Sequence, residues 1–167
     1  YCKVKAADGF TYYMAEALLD KVLGKLKTEE TEAYEVLETM KGADLEHKEY
    51  VPLFDYVKPL CDKQNKKGFF ITTDSYVTMS DGTGIVHIAP AFGEDDAKVC
   101  KKYQMPYLNP VGEDAVYTDG LWKGMNIFDA DLEVIKWLKE NDKLFKKQKI
   151  KHDYPHCWRC DSPLVYY

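Results

Sequence analysis

The chain has 167 residues, of which 46% are hydrophobic and 31% are charged, an ordinary composition for a globular protein with a substantial core. No apolar run approaches the roughly 18 residues of a membrane span, and the net charge of -5 argues against a stand-alone nucleic-acid-binding protein. The five cysteines are odd in number and mostly scattered, which predicts reduced thiols and a cytoplasmic protein.

The N-terminal part of the chain predicts two strands, a helix and a third strand. Residues 1–6 alternate as a strand does, Asp8-Gly9 is a hairpin signal, and residues 11–14 form the returning strand. Apolar residues then fall at positions 15, 18, 19, 22, 23 and 26, which lie on one face of a helix. Residues 34–40 predict a further strand.

The rest of the chain predicts short strands and two more helices. Strands are expected at 68–73, 76–79 and 85–88, followed by a helix from the acids at 94–96 to about Tyr103. A second helix is expected from Asp129 to Asn141, and a lysine-rich strand and a cysteine-containing turn follow it. Many short strands with few helices predict a barrel or a sandwich decorated by helices.

The segment from Gly82 to Asp96 is the most informative in the sequence. It combines a glycine turn, an apolar strand with His87, a proline break and three acids that open a helix. The strand end and the helix start would face each other across one pocket, which suits a ligand with a cationic amine and a carbonyl or sugar hydroxyl. The imidazole of His87 could orient water or a ribose hydroxyl, although a lone strand histidine is more often structural.

The acids and glycines of this segment each have an ordinary interpretation as well. At least one of the acids at 94–96 is expected only to cap the helix, whereas one that faces the pocket would pair with an ammonium group. Gly82 and Gly84 permit close approach of the backbone to a ligand, and Thr83 offers a hydroxyl, but most such glycine pairs are simply turns.

Two further features lie near the C-terminal end of the sequence. The basic run is either a solvated face or an edge that follows a phosphate backbone; its members are Lys143, Lys146, Lys147, Lys149 and Lys151. Cys157 and Cys160 have the spacing of half a tetrahedral zinc site, and two more ligands would be needed to complete it. A redox role for this pair lacks the expected strand–helix–strand context.

Four segments of the chain carry a family resemblance. GTGIVHIAPAFGEDD at 82–96 resembles the signature of the editing domain inserted into isoleucyl-tRNA synthetases, which are class I aminoacyl-tRNA synthetases. HDYPHCWRCDSPLVYY at 152–167 resembles the segment by which that insertion returns to the catalytic domain. GADLEHKEYVPLF and GLWKGMNIFDADLEVIKWL are similar to other blocks of the family, so the resemblance covers essentially the whole chain.

The resemblance implies a mainly β fold, a closed β-barrel decorated by a few α-helices, that hydrolyses valine misattached to isoleucine tRNA. Residues 1–167 would be a single editing-domain fragment that lacks the family's threonine-rich strand and is weakened or inactive alone. Asp96 would bind the α-ammonium of the misattached amino acid, and His87 would line the pocket and help to exclude isoleucine. The positions that would seat the tRNA end are Gly82, Thr83, Gly84, His152 and Tyr154.

The resemblance also implies partners and leaves alternatives open. No cofactor is expected for editing, while Cys157 and Cys160 would contribute half of a structural zinc site in the full-length parent. The expected partners are the 3′ end of isoleucine tRNA and the catalytic domain of the parent enzyme, with no membrane. The alternatives are a valyl- or leucyl-type editing domain, a non-catalytic tRNA-binding module that uses the lysines and the cysteine turn, and an inert insertion.

Overall fold

A computed structural model describes residues 1–149 and 153–164 of the chain. These residues divide into two compact units, each described by itself. The first comprises Tyr1–Pro90 and Glu94–Pro106, and the second comprises Ala91–Gly93 and the residues from Tyr107 onward.

The first unit contains an antiparallel sheet of three strands. These strands are β1 (Cys2–Ala6), β2 (Thr11–Met14) and β3 (Tyr34–Thr39), arranged in the order β2-β1-β3. The turn between β1 and β2 forms because Asp8 Oδ1 accepts a hydrogen bond of 3.0 Å from the N–H of Phe10. All three strands lie where the sequence predicts them.

The outer strand β3 has an irregular register against β1. The pairing shifts between Lys3 and Val4, which leaves Leu37 as the extra residue of a β-bulge. Glu35 and Glu38 on either side of the bulge are exposed. Within the described residues, β3 and β2 are the two edges of this sheet.

One face of the sheet packs on the helical segment that follows β2. This segment is a short helix, α1 (Leu19–Leu23), with single 3-10 turns at Glu16–Leu18 and Gly24–Leu26. Gly24 directly follows α1, and its weak helix propensity explains why the predicted helix is interrupted there. Six buried residues form the core between sheet and helix: Cys2, Val4, Ala6, Met14, Leu19 and Leu23.

Two further helices of the first unit are α2 (Lys58–Lys63) and α3 (Glu94–Lys102). The hydroxyl of Tyr103, just after α3, donates to the carboxylate of Glu46, which also accepts a 2.7 Å hydrogen bond from the hydroxyl of Thr73. The N–H of Thr73 in turn donates to the Tyr103 oxygen at 3.1 Å. The two hydrogen bonds that Glu46 accepts hold its pKa below the usual value, and the bond from Tyr103 has the larger effect. The end of α3 is therefore tied to two loops.

The second unit is built on α4 (Ile127–Glu140), which confirms the predicted second helix. Asn126 caps it, because its side-chain oxygen accepts a 3.0 Å hydrogen bond from the N–H of Phe128. Trp137 on α4 contacts Trp122 edge to face, with ring centroids 6.5 Å apart.

The prediction of a mainly β fold with a closed β-barrel is wrong. Within the described residues the only sheet is the open three-stranded one, and helices account for 29% of these residues against 14% for strands and isolated bridges. The strands expected at 68–73, 76–79 and 85–88 are irregular apart from one bridge between Phe70 and Glu49, and so are the described lysine-rich residues 143–149. Ile85 and Val86 are 44% and 48% exposed, so short apolar runs here do not mark a half-buried sheet face.

Among the helices of the described residues, none combines the length and the apolar character that crossing a bilayer requires.

Candidate functional site

The three acids that open α3 do not share one role. Lys98 forms ion pairs with Glu94 at 3.0 Å and with Asp95 at 3.2 Å, one helical turn away on the exposed surface. Glu94 and Asp95 are exposed, whereas Asp96 is half-buried. Asp96 thus differs from its two neighbours both in burial and in its partners.

The carboxylate of Asp96 is held by donors from two other segments. The N–H of Ala89 donates to Oδ2 at 2.9 Å, and the hydroxyl of Tyr76 donates to Oδ1 at 3.2 Å. A carboxylate has about four acceptor positions, and these two bonds leave room for another donor. Asp96 is therefore a fixed, partly buried acceptor that can receive an ammonium group.

Tyr76 is a site residue that the sequence analysis missed. Its hydroxyl contacts Asp96 from a segment 20 positions earlier in the chain, and no spacing rule links such residues. Burial, followed by the negative charge of Asp96 and the hydrogen bond to it, raises the pKa of Tyr76 to about 12. The phenol therefore stays protonated at neutral pH and keeps donating to Asp96.

Replacing Tyr76 with phenylalanine is expected to remove one late-ionising tyrosine from the alkaline titration. Because folding raises the pKa from 10.0 to about 12, the hydroxyl contributes stability that is complete below pH 10 and is lost as pH rises toward 12. Tyrosinate absorbance of wild type and variant, recorded against pH, measures the difference.

Tyr12→Phe is the matched control for this titration. The pKa of Tyr12 is also raised to about 12, by burial and by the hydrogen bond to Asp8, but Tyr12 lies away from Asp96 in the N-terminal hairpin. Both variants should lose one group that ionises near pH 12. An unchanged titration of the Tyr76→Phe protein would contradict the described position of Tyr76.

His87 lies on an exposed loop beside the Asp96 site. Within the described residues, its ring makes no hydrogen bond or ion pair, either with Asp96 or with another group. The connection is indirect, because Ala89, two positions further along the same loop, donates to Asp96. The structure thus brings the His87 loop to the start of α3, while the role of the ring stays a prediction.

The glycine turn before His87 is fixed to the N-terminal part of the first unit. The N–H of Ala15 donates to the carbonyl of Thr83 at 2.8 Å, and the hydroxyl of Tyr1 donates to the carbonyl of Gly84 at 2.7 Å. Gly82 and Gly84 have φ values of +60° and +74°, in the region that favours glycine. The Thr83 hydroxyl donates locally to the carbonyl of Ile85 at 3.2 Å.

Gly84 also has a packing reason to be glycine. A Cβ atom at this position would lie 2.5 Å from the Cβ of Ala15, whereas nothing lies within 4 Å of a Cβ at Gly82. The local sequence indicates only a turn or a ligand contact for these glycines. The contact with Ala15, far away in the sequence, leaves no signal in the local pattern.

The remaining predicted positions belong to the second unit. His152 lies outside the described residues. Tyr154 is 42% exposed, and its carbonyl oxygen lies 2.8 Å from Nδ1 of His156. Their role at a tRNA end stays a prediction.

Cys157 and Cys160 lie on one tight turn. The N–H of Cys157 donates to the carbonyl of Ser162 at 2.8 Å, and the Cys160 sulfur lies 3.2 Å from the hydroxyl of Ser162. The Ser162 hydroxyl, its backbone and the Cys157 thiol together hold the pKa of Cys160 below its usual value. A lowered pKa favours the thiolate, the form that binds metals.

Cys157 and Cys160 are the only two of the five cysteines that lie close together in the sequence. No group of three or more His, Cys, Asp and Glu side chains among the described residues is arranged to hold a metal ion. Cys2, Cys61 and Cys100 are buried as free thiols in the first unit. The two-thiol arrangement therefore fits the predicted half-site and provides no complete one.

The chain is similar in sequence to isoleucine–tRNA ligases of several organisms. The chain is 44% identical over 162 residues to an isoleucine–tRNA ligase of Clostridium acetobutylicum, with 96% of this chain and 14% of that protein covered. It is 42% identical over 168 residues to the enzyme of Treponema denticola, covering 95% and 15%. The identity to the Thermococcus kodakarensis enzyme is 39% over 168 residues, covering 98% and 15%. No family model matches the chain.

These relatives are tRNA ligases, and that is the class of proteins that this chain matches. More particularly, this chain is related over nearly its whole length to one segment of the isoleucine–tRNA ligases. The segment makes up only 14–16% of the length of those proteins.

Proposed function

We propose that this chain is the editing module of an isoleucine–tRNA ligase, which hydrolyses valine that has been misattached to isoleucine tRNA. The observation that carries the proposal is the Asp96 carboxylate, held half-buried at the start of α3 by the N–H of Ala89 and the hydroxyl of Tyr76. The similarity to isoleucine–tRNA ligases supports the tRNA as partner.

Such a module is needed because a single binding site discriminates poorly between isoleucine and the smaller valine. One methylene is worth only about 1–3 kcal/mol in an apolar pocket, and isoleucyl-tRNA synthetase is itself the standard example of this limit. A synthetic site therefore cannot reject valine well enough by size. A second, smaller site that hydrolyses what fits into it completes the discrimination.

The chemistry proposed for this chain is hydrolysis by a positioned water molecule. Asp96 would bind the α-ammonium of the misattached amino acid, which fixes the ester carbonyl relative to the attacking water. Tyr76 and Ala89 hold the carboxylate and leave its outer acceptor positions to the substrate. Water would add to the ester carbonyl, and the bond to the ribose oxygen would break, releasing valine and the free tRNA end.

His87 completes the proposed site from the neighbouring loop. Its exposed imidazole can donate or accept a hydrogen bond with the ribose or with water, and its bulk would help to exclude the larger isoleucine side chain. The Gly82–Gly84 turn, fixed to Ala15 and Tyr1, would provide the rigid surface against which the terminal adenosine lies.

We also propose that Cys157 and Cys160 hold a structural zinc ion together with ligands from outside the described residues. Their common turn and the lowered pKa of Cys160 support this proposal. When bound, the ion would stabilise the turn, and no step of the hydrolysis involves it.

The function can be tested with non-hydrolysable analogues of aminoacyl-adenosine, in which an amide replaces the ester. We expect the valyl analogue to shift the amide resonances of Ala89 and its neighbours in NMR spectra of the labelled chain, and the isoleucyl analogue to bind at least about tenfold more weakly. A chain that serves only as a tRNA-binding module or an inert insertion would show no analogue-dependent shift at Ala89. Equal affinity for the two analogues would contradict editing of valine.

A further inference from the structure

The turn that contains the two cysteines is a compact hairpin without a hydrophobic core of its own. It runs from Pro155 to Leu164, whose backbone groups are joined by a 2.9 Å hydrogen bond. His156 and Pro163 form an antiparallel bridge inside it, and the N–H of Asp161 donates to the carbonyl of Cys157 at 2.9 Å. We call this segment the cysteine hairpin.

The tip of the cysteine hairpin presents a tryptophan to solvent. Trp158 is 85% exposed, although indole rings are among the groups that proteins bury most. The guanidinium of Arg159 lies over this ring, 4.7 Å from the centroid, and so orders a planar cation on the indole. An exposed indole ring that is ordered by a neighbouring guanidinium is typical of a surface that binds a partner.

The segment between α4 and the cysteine hairpin is rich in lysine although the chain as a whole is acidic. The described residues after α4 include five basic side chains, all of them exposed: Lys143, Lys146, Lys147, Lys149 and Arg159. Only three acids accompany them in that part of the chain. None of the five cations takes part in a salt bridge within the described residues, whereas some lysines elsewhere, such as Lys21 and Lys98, are paired with acids.

We propose that Trp158 and Arg159 form a stacking platform for an unpaired RNA nucleotide. The base would lie on the exposed part of the indole, and Arg159 and the lysines of 143–149 would contact phosphates. Stacking of bases on aromatic or guanidinium planes, combined with basic groups that follow the backbone, is the usual way in which proteins bind single-stranded RNA.

A protein partner fits this surface less well. The cores of protein–protein interfaces are depleted in charged residues, whereas a guanidinium lies beside the exposed indole here and a lysine-rich segment precedes the hairpin. The proposal rests on the proposed function only in taking RNA as the partner. It assigns contacts beyond the amino acid and terminal adenosine, in a different unit from Asp96.

The test measures binding of a labelled single-stranded RNA to the full chain by fluorescence anisotropy at several salt concentrations. Trp158→Ala is expected to weaken binding about 5- to 150-fold, and Trp158→Phe to retain most of the affinity. Arg159→Gln should lower the slope of log affinity against log salt by about one. Val51→Ala is the control, because Val51 is 87% exposed in the first unit and should not contact the RNA.

The same variants separate this inference from the editing proposal. Trp158→Ala should keep its affinity for the valyl analogue, because that ligand carries no nucleotide beyond the terminal adenosine. If Trp158→Ala binds both RNA and analogue as wild type does, the platform is refuted and editing is untouched. If RNA binding depends on Trp158 while no analogue binds, editing is refuted and the platform stands. A chain that binds no RNA at any salt concentration would also refute the platform.

Discussion

Replacing Gly84 with alanine is expected to lower the free energy of unfolding by about 3 kcal/mol. The positive φ of +74° costs an alanine about 1–2 kcal/mol, and overlap of the new Cβ with that of Ala15, at 2.5 Å, adds a similar amount. The carbonyls of Thr83 and Gly84 are held by Ala15 and Tyr1, so the turn cannot easily move away. Urea denaturation followed by circular dichroism measures the change.

Gly82→Ala provides the matched comparison for this loss. Gly82 has a similar φ of +60° but nothing within 4 Å of its added Cβ, so only the backbone cost of about 1–2 kcal/mol applies. The difference between the two variants isolates the contact with Ala15. Equal losses for both would mean that the turn does not pack against Ala15 as described.

Changing Asp96 to asparagine is expected to weaken binding of the valyl-adenosine analogue about 10- to 150-fold. Hydrogen bonds to charged groups contribute about 1.5–3 kcal/mol, and the amide removes the negative charge that would attract the ammonium. Isothermal titration calorimetry of the analogue measures the loss. If the proposed function holds, hydrolysis of valine-charged isoleucine tRNA by an isoleucine–tRNA ligase that carries this segment should fall in proportion.

Asp95→Asn is the control, since it makes the same charge change one residue earlier. Asp95 is exposed and pairs with Lys98 at 3.2 Å, so its substitution should leave analogue affinity within about twofold of wild type. A thermal melt of both variants checks the fold, because the amide in the Asp96→Asn protein has a single acceptor oxygen for the two donors, Ala89 and Tyr76. Equal loss of affinity in the two variants would point to net charge and contradict a specific role for Asp96.

Local patterns in the sequence predict several individual elements and little of how they assemble into sheets. The hairpin at Asp8, the apolar stripe of the following segment and the helix that ends near Asn141 depend on neighbours in the chain, and the structure confirms them. The prediction of a barrel is wrong because it treats every short apolar run as a strand that pairs with another strand. Ile85 and Val86 are instead half-exposed in a loop that ends at Pro90.

The candidate site also has some features that the sequence indicates and others that only the fold reveals. Asp96 could be singled out from the acids at 94–96 only through the family resemblance, and the structure supplies a physical reason in the donors that hold it. Tyr76 and the contact of Gly84 with Ala15 depend on pairs distant in sequence, which no local pattern encodes. The exposure of Trp158 likewise requires the fold, because tryptophan is usually predicted to be buried.

The bulge in β3 affects how this protein behaves at high concentration. The edge strands of an open sheet expose unpaired backbone donors and acceptors. Strands of other molecules can pair with them, which leads to aggregation. In β3 the extra residue Leu37 interrupts the regular spacing that a recruited strand would need, and Glu35 and Glu38 repel a second copy of the same strand. The chain can therefore keep an open sheet and still resist self-association along this edge.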